Sequence, residues 1–344
     1  MIRRTPLAPG AALLVALAAA AGAPAAEEAL EGAAGNPAAT QQPRPDPEPF
    51  ETANLEDPVF PSPRVADALR LRIESRFLPG ATFDSFDADL YRPALRLRAT
   101  APLWKRGAVQ LTARFGTSLY ELDGEDGVLT TYASGGVDDF YTTSLDLQVG
   151  MRVNDGRSLF VAEEIWSILA AGEVRSSWES GAFDDGLVGR GGLALGYEIL
   201  DVFRIAVGAE LGSRIDGSGI RIGPVATFRW NVTDRFTVRS RGIGLQLEYA
   251  LTPRFEVFVT GLRESDTFRL ERRPGFPDDL TFRDEAVLAG VGFEWKVSKH
   301  VRLNVEGGAV PWRKLRVKSR DRGDLFEEKA DPGPYFEVRL EMRP

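Results

Sequence analysis

The 344-residue sequence has no cysteine, one histidine (His300) and three methionines. Without thiols there is no disulfide, no thiolate metal site and no cysteine for a lipid anchor. With no second histidine, Ser–His, Cys–His and multi-histidine zinc arrangements are excluded as well. His300 itself falls in a tight turn, Ser298-Lys299-His300. No apolar run approaches the ~18 residues of a membrane-spanning helix. An excess of basic charge is also lacking. The formal net charge is -8 and the pI about 5.1, which argues against nucleic acid as a partner. No window of useful length carries a helical period.

What is present begins with an export signal. Arg3 and Arg4 precede an unbroken apolar run from Ala11 to Ala21, and Ala23-Pro24-Ala25 offers small residues to a signal peptidase. Residues 1–25 are therefore expected to be a cleaved signal peptide. Removing them takes away two arginines, leaving 40 basic against 50 acidic side chains, a net -10. Residues 26–62 are rich in Ala, Pro and acids with little to bury. They read as a disordered linker, with polyproline character at Pro43–Pro49.

From residue 67 onward the period is two almost throughout. Residues 286–309, AVLAGVGFEWKVSKHVRLNVEGGA, set Val287, Ala289, Val291, Phe293, Trp295 and Val297 against Gly290, Gly292, Glu294 and Lys296. After the turn, Val301, Leu303 and Val305 alternate with Arg302, Asn304 and Glu306. Successive strand residues face opposite sides, so this is a hairpin with one apolar and one polar face. The same alternation recurs in segments from Leu69 to Met342, and is weakest over 158–170. Short connections (103–107, 154–157, 200–202, 231–234, 251–254, 298–300) take turns with long polar ones (78–88, 121–137, 173–186, 267–281, 318–333). That asymmetry belongs to outer-membrane barrels. Trp104, Tyr120, Phe140, Tyr141, Phe203, Trp230, Tyr249, Trp295 and Trp312 fall near strand ends, as an interfacial girdle would. If 235–250 is one strand, the count is thirteen. The phase slips within it, however, and a break at Ser240-Arg241-Gly242 makes fourteen. The expected fold is all-β: a transmembrane antiparallel up-and-down β-barrel of 12–14 strands over residues 63–344.

The stretch from Phe228 to Phe258, FRWNVTDRFTVRSRGIGLQLEYALTPRFEVF, resembles an uncharacterised bacterial family. That family is a domain of unknown function described as outer-membrane β-barrels, and the likeness extends loosely over 67–344. The resemblance implies location and fold and carries no activity. Unlike many outer-membrane proteins, this chain does not end its last strand in an aromatic, but in Leu340-Glu341-Met342-Arg343-Pro344.

If the apolar face meets lipid, the polar face lines the lumen. Lumen candidates are Arg70, Arg72, Arg96, Arg98, Arg114, Arg152, Arg221, Glu256, Glu294, Arg302, Glu306, Arg339 and Glu341, with Glu74 and Asp146. Charges at membrane depth need a wet or paired interior, so an Arg–carboxylate network is expected, with Glu341 of the last strand near Arg70 or Arg72 of the first. The function expected is a non-enzymatic outer-membrane barrel, either a narrow porin-like channel or a structural barrel with a charged lumen. The alternative is a secreted soluble β-sandwich or lipocalin-like binding protein. No catalytic, cofactor or metal residues are assigned. Asp138-Asp139, Asp184-Asp185 and Asp278-Asp279 read as solvated loop pairs. Gly189-Arg190-Gly191 and Gly217-Ser218-Gly219 lack the third glycine and following helix of a nucleotide fingerprint. Expected partners are outer-membrane lipid, the insertion machinery and a small polar solute, with the linker and both termini periplasmic. N-terminal sequencing of the exported protein should return Ala26. A membrane-inserted chain still beginning at Met1 would refute the signal-peptide reading.

Overall fold

A computed structural model describes residues 69–83, 86–106, 109–121, 139–153, 164–179, 182–199, 202–213, 215, 220–272, 277, 279–319 and 323–343. The signal peptide and linker read at 1–62 lie outside the described residues. So do Asp138 and Asp278, the first residues of two of the acidic pairs, and the loop over 122–138.

Antiparallel strands run in chain order around a closed wall: β1 (Arg70–Phe83), β2 (Phe86–Arg106), β3 (Val109–Glu121), β4 (Asp139–Arg152), β5 (Glu164–Glu179), β6 (Leu187–Ile199), β7 (Phe203–Ser213), β8 (Ile220–Asn231), β9 (Phe236–Ser240), β10 (Ile243–Thr252), β11 (Phe255–Arg269), β12 (Leu280–Lys296), β13 (Val301–Ser319), β14 (Gly323–Ala330) and β15 (Gly333–Met342). β14 and β15 lie end to end along β13, β14 on Arg313–Ser319 and β15 on Val301–Val310. The fifteen segments therefore make fourteen staves. β15 then pairs with β1 and closes the ring. The count depends on the break anticipated at Ser240–Gly242. There Gly242 takes φ 55°, a left-handed conformation that suits glycine. Among the described residues the only helical element is a 3-10 turn, Asp184–Gly186, and no helix is long and apolar enough to cross a membrane.

The outward face is apolar. Leu97, Phe115, Leu145, Leu147, Ile168, Leu195 and Val207 are exposed, whereas their strand neighbours Thr112, Arg114, Asp146, Gln148 and Ser167 are buried. A closed ring satisfies its own backbone, and an apolar exterior suits hydrocarbon, so this is a transmembrane β-barrel and not a sandwich with its apolar side inward. The base is the end where β1 starts and β15 stops. Outward aromatics gather there: Trp104, Trp166, Trp230 and Tyr249 are exposed, Trp166 packs on Tyr197 with centroids 4.7 Å apart, and Phe255 on Phe293 at 5.3 Å. Two of the expected girdle residues sit elsewhere. Phe140 is buried in the interior, and Trp312 is in mid-β13, opposite Val287.

Several segments read as long loops are strand. β1 and β2 approach to Phe83 and Phe86, β5 runs on to Glu179, and β14 occupies 323–330 within 318–333. β14, GDLFEEKA, pairs along β13 although its residues are mostly polar or acidic. Beyond the lipid belt a strand needs no apolar outer face, so the periodic signal fades while the hydrogen bonding continues. The weakest stretch, 158–170, contains the start of β5 at Glu164.

In the 286–309 hairpin the inward glycines are sockets. A Cβ on Gly290 would lie 2.1 Å from Tyr335 Oη, and one on Gly292 would lie 2.4 Å from Phe258 Cζ. Tyr335 cannot swing aside freely, because its hydroxyl donates to Glu306 Oε1 at 2.5 Å. Gly290→Ala should overpack this contact and cost about 1–3 kcal/mol. Lower urea resistance of the folded, fast-migrating gel band would show it, and an unchanged midpoint would refute the socket.

Candidate functional site: the charged interior

Closure places the first and last strands in a register of opposite charges. On their inward faces Arg72 lies opposite Glu341, Glu74 opposite Arg339 and Arg76 opposite Glu337. The next seam adds Glu74 opposite Arg96 but also sets Arg72 opposite Arg98. The seam between β13 and β15 sets Glu306 opposite Glu337. Like charges directly opposite repel. Arg241, from the β9–β10 turn, resolves this by reaching across the interior. It donates to Glu306 Oε2 and, at 3.1 Å, to Glu337 Oε1.

From these pairs a single network grows. Arg76 contacts Glu264 and Glu337. Arg96 contacts Glu74 at 3.0 Å and Asp266 at 3.7 Å. Arg339 contacts Glu74 at 3.2 Å and Glu337 at 2.5 Å, and Arg72 contacts Glu74 at 3.4 Å. Five arginines (72, 76, 96, 241, 339) thus meet five carboxylates (74, 264, 266, 306, 337), and the charges of this set balance. Neutrality matters because desolvating an uncompensated charge costs several kcal/mol. Satellite pairs follow the same rule: Arg114 grips Asp146 in bidentate fashion at 2.9 and 3.1 Å, and Arg313 grips Asp284 at 2.8 and 3.1 Å.

Apolar side chains fill the rimward interior. Leu78, Leu262, Ala286, Leu288, Val310 and Tyr335 form one buried cluster. Beyond it Phe140 of β4 meets Phe268 of β11 and Phe282 of β12, with centroids 4.6 and 5.2 Å apart. At the rim β11 pairs with β5, the neighbour of β4, through Arg269 and Trp178, and just below that junction these rings pack together in the interior. Beside the network a cavity of ≈ 70 Å³, lined by Arg98, Arg114, Thr142, Glu173 and Asp266 among others, has room for only a few waters.

The sequence-predicted positions distribute as follows. Arg72, Arg114, Glu256, Glu306, Arg339 and Glu341 are buried. Arg70, Arg96, Arg98, Glu294 and Arg302 are half-buried, while Arg152 and Arg221 are exposed at the ends of β4 and β8. Arg72, Arg96, Glu306 and Arg339 come together in the central network. Glu256, Glu294 and Arg302 gather at the base, where Lys296 binds Glu256 at 2.9 Å and Arg302 reaches Glu294 at 3.5 Å. Glu341 is held by Arg343 at 2.8 Å. Network members absent from the sequence-derived set are Arg76, Arg241, Glu264, Asp266 and Glu337. Arg76 and Glu337 carried the right phase in their strands. Arg241 sits in a turn, where alternation assigns no face. His300 is exposed in the β12–β13 turn, its Nδ1 2.8 Å from Arg343 O. Among the described residues no group of three or more His, Asp or Glu side chains could hold a metal ion.

A family model described as a domain of unknown function, DUF6268, matches residues 147–343. No curated protein matches the chain in sequence. Among solved structures, an outer membrane channel from Pseudomonas putida F1 is similar at 10% identity and TM-score 0.41, over 81% of this chain and 96% of that one. The toluene transporter TodX of P. putida is similar at 10% identity and TM-score 0.35, over 81% and 91%. The outer membrane phospholipase (OMPLA) of Salmonella typhi is similar at 12% identity and TM-score 0.34, over 80% and 90%.

Glu337→Gln would leave five arginines against four carboxylates. That single change should destabilise the barrel by about 3–5 kcal/mol. Glu337→Gln combined with Arg339→Gln restores the balance and should recover part of the loss. Urea unfolding followed by tryptophan fluorescence measures both, and a single variant as stable as the parent would contradict the neutral-network account.

Proposed function

The chain belongs to the DUF6268 family of domains of unknown function, and we propose that it is a non-enzymatic outer-membrane barrel whose axial route is closed at rest. The packing of Phe140, Phe268 and Phe282 in the rimward interior carries this reading. A general diffusion pore needs a continuous wet lumen, and here the rimward interior is packed with buried apolar side chains. Basal to the rings, Arg241 spans to Glu306 and Glu337. The predicted positions Arg72, Arg96, Arg98, Arg114, Glu256, Glu306, Arg339 and Glu341 line this interior, and Arg70, Glu294 and Arg302 line its base. In a narrow porin-like channel these same side chains would have to part before a small polar solute could pass.

Location follows from the physics of the wall. An apolar exterior belt and a closed ring suit lipid, and only exported chains reach an outer membrane. The short base turns and both strand termini then lie on the periplasmic side, and the partners are outer-membrane lipid and the insertion machinery. The non-enzymatic reading is supported by His300, the one histidine of the sequence, being engaged with the main chain at the base, its Nδ1 2.8 Å from Arg343 O.

Purified barrel in a planar bilayer should show no steady open-pore conductance. Phe140→Ala with Phe282→Ala should give frequent openings, because two rings of the buried rimward cluster are removed. Stable porin-like conductance from the unaltered protein, unchanged by the double substitution, would overturn the closed-lumen reading.

A further inference from the structure

The β9–β10 hairpin is the lowest part of the wall, its strands 5 and 10 residues long. β9 covers only Arg229–Asn231 of β8, and β10 stops with Ile243 opposite Arg263 of β11. Rimward of the hairpin, β8 from Ile220 to Thr227 pairs with β7 alone, and β11 from Glu264 to Phe268 pairs with β12 alone. Two unpaired strand edges therefore flank a notch. Pro224, midway along the β8 edge, has no N–H to leave unpaired there. The notch is bridged at the rim. Arg269 of β11 pairs with Trp178 of β5, its Nε donates to Asp185 O at 3.2 Å, and Glu271 N donates to Glu179 Oε2 at 2.8 Å. The result is a window in the side of the barrel.

The window faces lipid. Ile220, Ile222 and Ile243 beside it are 72%, 75% and 66% exposed, the highest values among the exposed large hydrophobics of the described residues. Open strand edges at membrane depth are tolerated only where they line a wet or occupied cavity, and behind this window lies one of ≈ 370 Å³. That volume is at the small end of the roughly 300–1,000 Å³ of ligand pockets. Its charges are one-sided: Arg175, Arg190, Arg221 and Arg283 against Glu210. Arg190 is engaged by Glu173 at 2.9 Å, and Arg283 by Glu285 at 2.5 Å. Arg175 donates to Ser177 Oγ at 3.0 Å. Neither Arg175 nor Arg221 makes an ion pair among the described residues. Val188, Leu211, Val225 and Ile243 supply apolar lining. Arg175 and Arg190 also line the polar cavity beside the central network, so the two cavities adjoin.

We propose that this window is a binding site for a single-chain amphipathic anion taken sideways from the membrane. Its acidic head binds Arg175 and Arg221 through charge-assisted hydrogen bonds. Its alkyl chain passes between the β8 and β11 edges and stays in contact with lipid. The site goes beyond the closed axial route and does not depend on it, because its entrance is in the wall.

The test uses the whole barrel in nanodiscs, with dodecanoate and dodecyltrimethylammonium as probes. Dodecanoate should bind saturably and the cation should not. Arg175→Gln with Arg221→Gln should weaken dodecanoate binding about tenfold or more, the loss expected for charged hydrogen-bond partners. Ile243→Trp should also weaken it by filling the window while leaving both arginines in place. Heat-modifiable migration checks folding, and the tryptophan variant carries the test should the double variant not fold. Equal binding of both probes, or dodecanoate binding indifferent to both variants, would overturn the proposal. Inorganic phosphate competing as well as dodecanoate would overturn entry from the lipid. None of these readouts measures axial conductance, so this reading and the closed-lumen reading fail separately.

Discussion

Seven residue pairs, from Leu71 opposite Met342 to Phe77 opposite Phe336, join the last strand to the first. Everything else in the molecule depends on that seam. An open sheet could not hold its edge groups in hydrocarbon, where each unsatisfied backbone group costs several kcal/mol. Closing the ring forces one face of every strand into a confined interior. The chain put charges on that face, so closure also compels them to pair. Arg72, Glu74 and Arg76 meet Glu341, Arg339 and Glu337 in alternating sign because β1 and β15 are antiparallel and their inward charges alternate.

The seam leaves a residue of conflict, and the fold resolves it from a distance. Glu306 and Glu337 face each other across β13 and β15, and Arg241 lies between them, its own place secured by the turn at Gly242. The shortness of the β9–β10 hairpin is what lets that turn lean inward at the right height. The same shortness leaves the edges of β8 and β11 without partners above it. The arginine that seals the interior and the notch that opens the wall are thus two results of one short hairpin.

Much of this was legible in the residues. Period-two alternation marked the strands, the phase slip at Ser240–Gly242 marked a turn, and charges such as Arg72 and Arg339 fell on the inward side. Other features were not legible, for physical reasons. Residues 323–330 looked like loop because a strand beyond the lipid belt has no need of an apolar outer face. Phe140 looked like a girdle aromatic because a ring at a strand end suits an interface as well as a packed interior. Its inward direction became meaningful only when Phe268 and Phe282 arrived from β11 and β12.

Which face a side chain takes is set by the backbone of its own strand, so the sequence alone determined the polar interior and the apolar belt. Which charges meet depends on register and on closure between segments as distant as Arg76, Glu264 and Glu337, and where the wall gapes depends on the unequal reach of neighbouring strands. Both are properties of non-local hydrogen bonding, and only the closed tertiary structure decided them.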